Sequence, residues 1–187
     1  MKEKVLVLAS NNKGKISEFE RLLESLKIKV LPMSHFPEIN EVEETGTTFK
    51  ENALLKAREV ARLSGQVSLA DDSGLEVDYL KGEPGVYSAR FAGEPKSDER
   101  NNEKLLEMLK GVPSEKRTAR FKCCIAIVLP DGKEYTVEDS CEGYILEQLV
   151  GEGGFGYDPL FFVDSLDKTF AELNMQEKIK LVIEVRQ

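Results

Sequence analysis

Short apolar runs alternate with helically spaced apolar positions along most of the chain. The run Lys4–Ala9 predicts a first strand, and the polar loop Ser10–Gly14 follows it. Five apolar residues then recur at the spacing of one helix face: Ile16, Phe19, Leu22, Leu23 and Leu26. This spacing predicts a helix over Lys15–Leu26, because side chains three and four residues apart share a face.

A second strand and helix follow with a clear start signal. Val30–Pro32 predicts a short strand, and Thr48-Phe49-Lys50-Glu51 has the sequence of a capping box. The box opens a predicted helix over Phe49–Leu63. A predicted strand over Val67–Ala70 then runs into Asp71-Asp72-Ser73-Gly74.

The rest of the chain predicts a further helix, a hairpin and a loop. Pro130-Asp131-Gly132 is a hairpin signal between two strand-like runs. The predicted elements are a helix over Asp98–Lys110, strands over Thr118–Leu129 and Lys133–Glu147, a glycine-rich loop over Gly151–Gly156 and a short helix over Thr169–Lys180. This mixture predicts an α/β fold, with a mixed twisted sheet flanked by helices and bent into two lobes.

The length of the chain predicts the number of domains, and its net charge excludes some classes of protein. The chain has 187 residues, with 26 Lys+Arg and 34 Asp+Glu for a net charge of −8. Since domains usually hold about 100–200 residues, we predict a single domain over residues 1–187. The negative balance argues against a protein that coats nucleic acid, because such binding uses many lysine and arginine contacts to phosphates. A local basic pocket for a small anion remains compatible with this charge.

Apolar runs and cysteines indicate the compartment. The longest apolar runs, such as Val5–Ala9 and Cys123–Leu129, are far shorter than the roughly 20 residues that cross a bilayer. The first run is also too brief for a secretory segment. Cys123, Cys124 and Cys141 form no CxxC motif. We therefore expect reduced thiols in a cytoplasmic protein without a membrane partner.

A polar segment at the first strand–helix junction is a candidate anion site. It consists of Ser10, Asn11, Asn12, Lys13, Gly14 and Lys15. Backbone N–H groups at a helix N-terminus attract anions, and two lysines add charge. The Walker pattern GxxxxGK[ST] is absent, so an ordinary solvated turn is the alternative.

Two adjacent acids form a candidate metal site. Asp71 and Asp72 follow a strand, and Mg²⁺ is often held by one or two carboxylates together with substrate oxygens and water. An Asx turn into Gly74 is the alternative. The acidic group Glu41, Glu43 and Glu44 offers a further carboxylate, although taken by itself this group is better explained as a solvated loop.

Two other segments carry weaker signals. Asn52 and Lys56 are four residues apart on one helix face. Lys56 points either into a cleft or to solvent, and from the spacing alone the solvent-exposed interpretation is favoured. Glycines around Phe155 and Tyr157 bring backbone close to a ligand, and either ring offers a stacking plane for a base. A loop that fills the core is the alternative there. With His35 as the single histidine, the base is expected to be a carboxylate or lysine.

Five motifs stand in an order and spacing that resemble the inosine triphosphate pyrophosphatase family, the non-canonical purine NTP pyrophosphatases. The likeness runs from about residue 4 to residue 178. The motifs are Ser10-x-Asn12-x-x-Lys15, Glu43-Glu44-Thr45-Gly46-x-Thr48-Phe49-x-Glu51-Asn52-Ala53-x-x-Lys56-Ala57, Leu69-Ala70-Asp71-Asp72-Ser73-Gly74-Leu75, Pro84-Gly85-Val86-Tyr87-Ser88-Ala89-Arg90 and Gly153–Phe162.

The resemblance implies a fold, a reaction and an assembly. The fold is an elongated α/β structure of two lobes with a cleft between them, usually as a homodimer. The reaction is Mg²⁺-dependent hydrolysis of ITP, dITP and XTP to the monophosphate and pyrophosphate. A small nucleotide is then the partner, without nucleic acid.

Matching positions carry the family's site onto this chain. On the phosphate side, the resemblance places Ser10–Lys15 around the triphosphate, with Asp71 and Lys56 shaping and charging the site. Glu43 and Asp72 would hold Mg²⁺, and Asp72 would also accept the proton of the attacking water. The other substrate-binding positions are Ser73, Phe155 stacked on the purine, Gly156, Tyr157, Asp158 at the base end, and Lys178.

The C-terminal tail departs from the family pattern. After Lys178 the family continues with Ser-His-Arg, which reads the 6-oxo group of the base, whereas this chain has Val182-Ile183-Glu184. We therefore expect an atypical tail over residues 179–187. One alternative function is a nucleotide-binding homologue with impaired activity or lost base discrimination.

Two further alternatives come from other classes. A Maf-like pyrophosphatase acting on modified pyrimidines is opposed by the loop Gly153–Asp158. A structural α/β module would not need so many polar groups at the ends of its elements.

Overall fold

A computed structural model describes residues 4–174 and 177, and its strands form one mixed sheet. Within these residues the helices are α1 (Lys13–Leu23), α2 (Phe49–Ser64) and α3 (Asp98–Met108). The strands are β1 (Lys4–Leu8), β2 (Ile28–Pro32), β3 (Val67–Val77), β4 (Thr118–Val128), β5 (Glu134–Ile145), β6 (Phe161–Val163) and β7 (Lys168–Thr169).

The strand order in the sheet is β2-β1-β3-β4-β5-β6-β7. β1 is parallel to both β2 and β3, whereas β6 is antiparallel to β5 and β7. The predicted mixed sheet flanked by helices is therefore confirmed. The chain divides into two compact units, Met1–Asp72 with Cys124–Glu138 (unit 1) and Ser73–Cys123 with Asp139–Gln187 (unit 2).

In unit 1, both faces of β1 are buried. Leu6 and Leu8 pack in a cluster that includes Phe19 of α1, whereas Val7 packs in another that includes Val60 of α2. Because successive side chains of a strand point to opposite faces, α1 and α2 cover opposite faces of this part of the sheet. This is the layering of a parallel α/β core.

The N-terminal caps of the first two helices come from the sequence motifs. Thr48 and Glu51 form the predicted capping box of α2. Helix α1 begins at Lys13, two residues earlier than predicted, because the side chain of Asn12 caps it. Asn12 Oδ1 accepts from the backbone N–H groups of Gly14 at 2.8 Å and Lys15 at 3.2 Å. Both lysines of the predicted anion site therefore lie in the first turn of a helix.

Strand β3 is much longer than the predicted Val67–Ala70. The segment Asp71–Gly74 lies inside the strand and not in a turn after it. Leu75 and Val77 are fully buried beyond that segment, and the Leu75 N–H donates to Ser88 Oγ at 2.9 Å. These contacts keep the backbone extended past the two acids, so an Asx turn at this position is wrong.

In unit 2, a cluster of aromatic rings lies in the core. Phe121 stacks on Phe170 with ring centroids 5.1 Å apart, and Phe161 meets both rings edge to face. Thr169 lies in β7, and Phe170–Glu172 forms a single 3₁₀ turn. The predicted helix over Thr169–Lys180 is therefore wrong in its first part, because Phe170 is fixed by this stacking. Residues 175, 176 and 178–180 lie outside the described residues.

Helix α3 starts after Ser97 as predicted, and it ends at Met108, two residues before the predicted Lys110. Ser97 Oγ accepts from the Arg100 N–H at 3.3 Å. None of the helices in the described part of the chain is long and apolar enough to cross a membrane.

In the described part of the chain, Cys123, Cys124 and Cys141 form no disulfide. Burial, with the nearby charges of Glu142 and Asp139, raises the pKa of Cys141 to about 11. Since the thiolate is the reactive form, we expect Cys141 to be alkylated about 100-fold more slowly at pH 8 than an unperturbed thiol. Mass spectrometry of the peptide carrying Cys141, after timed iodoacetamide labelling, measures this rate.

The labelling rate of Cys141 should still be rising at pH 10. Protein unfolded in guanidinium is the control, and its Cys141 should reach a plateau about two pH units earlier, at the ordinary thiol pKa. A plateau at the same pH in folded and unfolded protein would contradict the burial of this thiol.

Candidate active site

The carboxyl end of β1 lies beside the first half of β3, in unit 1. Leu8 pairs with Leu69, and the Ala9 N–H donates to the Leu69 carbonyl at 2.8 Å. This register places the loop after β1 beside Asp71 and Asp72. In open α/β sheets, ligands bind outside the carboxyl ends of such strands, at the point where the helices leave toward opposite faces.

The loop between β1 and α1 is held by its own polar side chains. Ser10 Oγ accepts from the Asn12 N–H at 3.1 Å, and Asn11 Oδ1 accepts from the Ser34 N–H at 3.0 Å. The cap by Asn12 already uses the N–H groups of Gly14 and Lys15. The attraction for an anion therefore comes from the side chains of Lys13 and Lys15 and from the helix dipole.

Lys15 connects this loop to β3. Its Nζ lies 2.6 Å from Asp71 Oδ2, and the side chain of Asp71 is 12% exposed. Lys13 is exposed. The structure thus brings Lys15 of the first predicted group together with Asp71 of the second.

Lys56 forms the centre of a second ion-pair cluster. Its Nζ lies 2.8 Å from Glu44 Oε1 and 3.1 Å from Asp72 Oδ1. Only 15% of the Lys56 side chain is exposed. Of the two interpretations of Lys56, the one in which it points to solvent is therefore wrong.

Burial and charge act in opposite directions on this cluster. Burial raises the pKa of Asp72, the charge of Lys56 lowers it and that of Glu44 raises it, and the balance leaves the pKa of Asp72 above its usual range. Burial alone would lower the pKa of Lys56, but Asp72 and Glu44 together raise it. Lys56 is therefore a cation, and Asp72 is a stronger base than an ordinary carboxylate.

Asn52 fixes the loop that carries Glu44. Its side chain is fully buried, and its Oδ1 accepts from the Gly46 N–H at 2.8 Å. The side-chain amide of Asn52 also lies close enough to lower the pKa of Asp72, although its Nδ2 makes no hydrogen bond of normal geometry. Glu51 accepts from the N–H groups of Thr47 and Thr48.

Gly46 is the position where this loop tolerates no side chain. A Cβ there would lie 2.6 Å from Asn52 Oδ1 and 3.0 Å from the Asn52 backbone N. We expect Gly46→Ala to displace Glu44 and to lower kcat/KM for nucleotide hydrolysis by about tenfold to 100-fold, since small misplacements have effects of this size. Steady-state kinetics measures the loss. Thr45→Ala, at an exposed neighbouring residue, is the control, and equal kinetics for both variants would contradict the account.

The donor set of this cluster fits a hard divalent cation. The carboxylates of Glu44, Asp71 and Asp72 are hard oxygen donors, the ligand type that Mg²⁺ takes in proteins. Within residues 4–174 and 177, no group of three or more His, Cys, Asp or Glu side chains is arranged to hold an ion.

Glu43 stays a predicted metal ligand. The structure places it in an exposed position, whereas its neighbour Glu44 reaches the cluster through Lys56. Adjacent residues of the acidic loop are chemically alike, so the sequence did not distinguish them. The sequence feature that indicated this cluster was the (i, i+4) spacing of Asn52 and Lys56, because it places both side chains on one face of α2.

The remaining predicted residues lie in unit 2, each in a different environment. Ser73 is exposed on β3, and Phe155 is exposed at 75%. Tyr157 is buried, and its hydroxyl donates to the Ser88 carbonyl at 2.7 Å. Asp158 is also buried, so part of this loop fills the core, whereas stacking of a base on Phe155 stays a prediction. Lys178 lies outside the described residues.

Two residues of α3, Asp98 and Asn102, contact this loop, and the sequence pattern did not indicate either contact. The Gly156 N–H donates to Asp98 Oδ2 at 2.8 Å, and Asn102 Nδ2 donates to the Gly156 carbonyl at 2.9 Å. On a helix with many charged residues, such as α3, polar residues predict a face that is exposed to solvent. The motif around Ser88 has a structural use as well, because Ser88 Oγ donates to the Gly85 carbonyl at 2.6 Å.

The parallel core and the lysine–carboxylate clusters define an α/β protein with a polar site where the carboxyl end of β1 meets Asp71 and Asp72 of β3. The family model described as "Ham1 family" matches residues 6–186. The chain therefore belongs to the Ham1 family.

Curated relatives and solved structures support this assignment. A dITP/XTP pyrophosphatase of Desulforamulus reducens is 60% identical over 173 residues, which cover 92% of this chain and 86% of that protein. A dITP/XTP pyrophosphatase of Bacillus cereus is 52% identical over 177 residues, or 94% and 86% of the two chains. The structure of a HAM1 protein from Coxiella burnetii matches with a TM-score of 0.89 at 41% identity, covering 95% of this chain and 91% of that one. The Staphylococcus aureus Ham1 protein matches with a TM-score of 0.86 at 43% identity, over 98% and 100%.

Proposed function

We propose that this protein hydrolyses the non-canonical purine nucleoside triphosphates ITP, dITP and XTP to the monophosphate and pyrophosphate, and so removes them from the nucleotide pool. The observation that carries the proposal is the Glu44–Lys56–Asp72 cluster beside the Lys15–Asp71 pair. It supplies a base and cations at the position where α/β sheets bind ligands. Relatives that share 52–60% identity and carry the name dITP/XTP pyrophosphatase support the same reaction.

The lysines prepare unit 1 for a triphosphate. A nucleoside triphosphate carries several negative charges, and this protein has a net charge of −8. Binding therefore needs local cations, which Lys13, Lys15 and Lys56 provide. Asp71 holds the ammonium group of Lys15 next to the carboxyl end of β1, where a phosphate oxygen can replace the carboxylate as its partner.

Asp72 is the proposed proton acceptor. Hydrolysis at the phosphorus next to the sugar requires a water oxygen to attack, a proton to leave that water, and pyrophosphate to depart. The raised pKa of Asp72 suits it to accept the proton, while Lys56, 3.1 Å away, fixes the orientation of its carboxylate. Bound Mg²⁺ supplies charge neutralisation for the phosphate oxygens and the leaving pyrophosphate.

The metal and the assembly belong to the proposal as finer points. We propose Mg²⁺ as the metal, with Asp72 and either Glu43 or Glu44 as protein ligands. We also propose a homodimer, so light scattering on the purified protein should give about twice the chain mass of 21.0 kDa. A cytoplasmic location stays a prediction from the sequence.

Phe155 is the proposed stacking surface for the purine, because its ring is exposed in the glycine-rich loop. The alternative of an impaired nucleotide-binding homologue is weaker, since the base, the lysines and the carboxylates of the phosphate side are all present. It predicts tight binding of ITP without release of pyrophosphate.

Product analysis tests the reaction directly. Purified protein with Mg²⁺ and ITP in ¹⁸O-water should give IMP and pyrophosphate, with the heavy oxygen in IMP. IDP with inorganic phosphate, or heavy oxygen in pyrophosphate, would contradict attack at the phosphorus next to the sugar.

A further inference from the structure

The glycine loop, residues 153–158, presents the ring of Phe155 to solvent. The 75% exposure of Phe155 is the highest among the large apolar side chains that the structure describes. An exposed ring forgoes the favourable free energy that burial gives an apolar side chain. A flat ligand stacked on the ring would recover that free energy.

Two side chains of α3 hold the backbone of this loop at Gly156. Asp98 Oδ2 accepts from the Gly156 N–H at 2.8 Å, and Asn102 Nδ2 donates to the Gly156 carbonyl at 2.9 Å. Asp98 and Asn102 are four residues apart, so they share one face of α3. Asn102 is buried, with an exposure of 7%. We call this arrangement the Asp98–Asn102 clamp.

The residues on either side of Phe155 are fixed by other contacts. Gly154 has φ +77°, and a Cβ there would collide with Asp158 Oδ2. The Phe155 N–H donates to the same oxygen at 3.3 Å, and Tyr157 is anchored by its hydroxyl to the Ser88 carbonyl. The backbone of Phe155 is thus held while its ring stays exposed.

We propose that Asp98 and Asn102 are positioning residues for the nucleobase, which fix Gly156 and thereby hold Phe155 in the orientation that stacks on the purine. The inference rests on the proposed function. A preorganised loop binds without first losing conformational freedom, so the clamp contributes to nucleotide affinity. Attack at phosphorus depends on the Lys56–Asp72 cluster and not on the clamp.

Steady-state kinetics with dITP separates these two contributions. Phe155→Ala should raise KM about 5-fold to 150-fold, the range for loss of one stacked base. Asp98→Ala and Asn102→Ala should raise KM about 3-fold to 15-fold with little change in kcat, the range expected when a few side chains must be ordered on binding. Competitive inhibition by inorganic tripolyphosphate should be unchanged in all three variants, because that probe has no base.

A double variant tests whether the clamp acts through the ring. Phe155→Ala/Asn102→Ala should have the KM of Phe155→Ala alone, since the clamp has nothing left to position. Asp98→Asn, which keeps an oxygen acceptor, should restore most of the affinity. Glu99→Ala, which removes an exposed acid from the same helical turn, is the matched control and should behave as wild type.

Three outcomes would overturn the proposal. The first is an increase in KM for the double variant that equals the product of the two single-variant increases. The second is a decrease in kcat without a change in KM, and the third is weaker inhibition by tripolyphosphate. Asp98 is exposed, so its variants remain informative if Asn102→Ala fails to fold. Failure of the proposed function has a different signature, because wild-type protein would then release no pyrophosphate from dITP.

Discussion

Replacing Asp72 by Asn should lower kcat for ITP hydrolysis by about 10²- to 10⁴-fold, the usual contribution of a positioned general base. The amide keeps the size of the side chain but has no basic oxygen to accept the proton of the attacking water. Lys56 keeps its ion pair with Glu44, so the cluster should stay assembled. Single-turnover kinetics with ITP and Mg²⁺ measures the chemical step.

The fold of Asp72→Asn should be intact. The raised pKa of Asp72 means that the folded protein holds its charged carboxylate at an energetic disadvantage, so a neutral amide should not lower the melting temperature. Asp78→Asn, in an exposed carboxylate of unit 2 paired with Arg120, is the control and should keep wild-type kcat. A kcat for Asp72→Asn close to that of the control would contradict the assigned role.

Replacing Arg117 by Ala should destabilise the protein by about 3–5 kcal/mol, through loss of a buried hydrogen-bonded charge. Arg117 is 3% exposed, and its guanidinium donates to three backbone carbonyls: those of Ile145 at 2.7 Å, Leu109 at 2.8 Å and Leu146 at 2.7 Å. Without the side chain these carbonyls have lost a charged donor. For a chain of this length we expect a fall in melting temperature of about 6–20 °C.

Two further variants give this prediction its controls. Arg117→Lys should fall between wild type and Arg117→Ala, because an ammonium group does not match the planar fork of a guanidinium. Arg62→Ala removes an arginine that is 65% exposed and pairs with Glu59 on the surface of α2. It should change stability by about 1 kcal/mol or less. Equal melting temperatures for Arg117→Ala and Arg62→Ala would show that the carbonyl contacts contribute little.

The residues of the two lysine–carboxylate clusters were partly predictable from the sequence. Helix caps and lysines follow local rules, so the residue pattern pointed to Asn12 and Lys15, and it singled out Asp71-Asp72 although both acids lie inside β3 and not at its end. Parallel strands meet at one edge, which explains why residues 56 positions apart, Lys15 and Asp71, form an ion pair. The extent of β3 was not predictable, because buried contacts beyond the two acids decide it.

The residues that act through long-range contacts were not predictable. Arg117 reads as a surface charge next to a strand, and only the fold shows that it reaches three carbonyls. Asp98 and Asn102 read as a solvated helix face for the same reason. The local residue pattern indicates helices, strands and helix caps. The contacts of Arg117, Asp98 and Asn102 depend instead on which backbone groups lie next to these side chains in the folded protein.

The relative rates of hydrolysis of different nucleotides decide whether this protein acts on non-canonical purine triphosphates. The values of kcat/KM for ITP, dITP, XTP, GTP and ATP should be measured with one preparation and Mg²⁺, with Asp72→Asn as the blank. We expect release of monophosphate and pyrophosphate from ITP, dITP and XTP, and almost no hydrolysis of GTP and ATP. Equal hydrolysis of all five nucleotides, or no pyrophosphate from any of them, would contradict it.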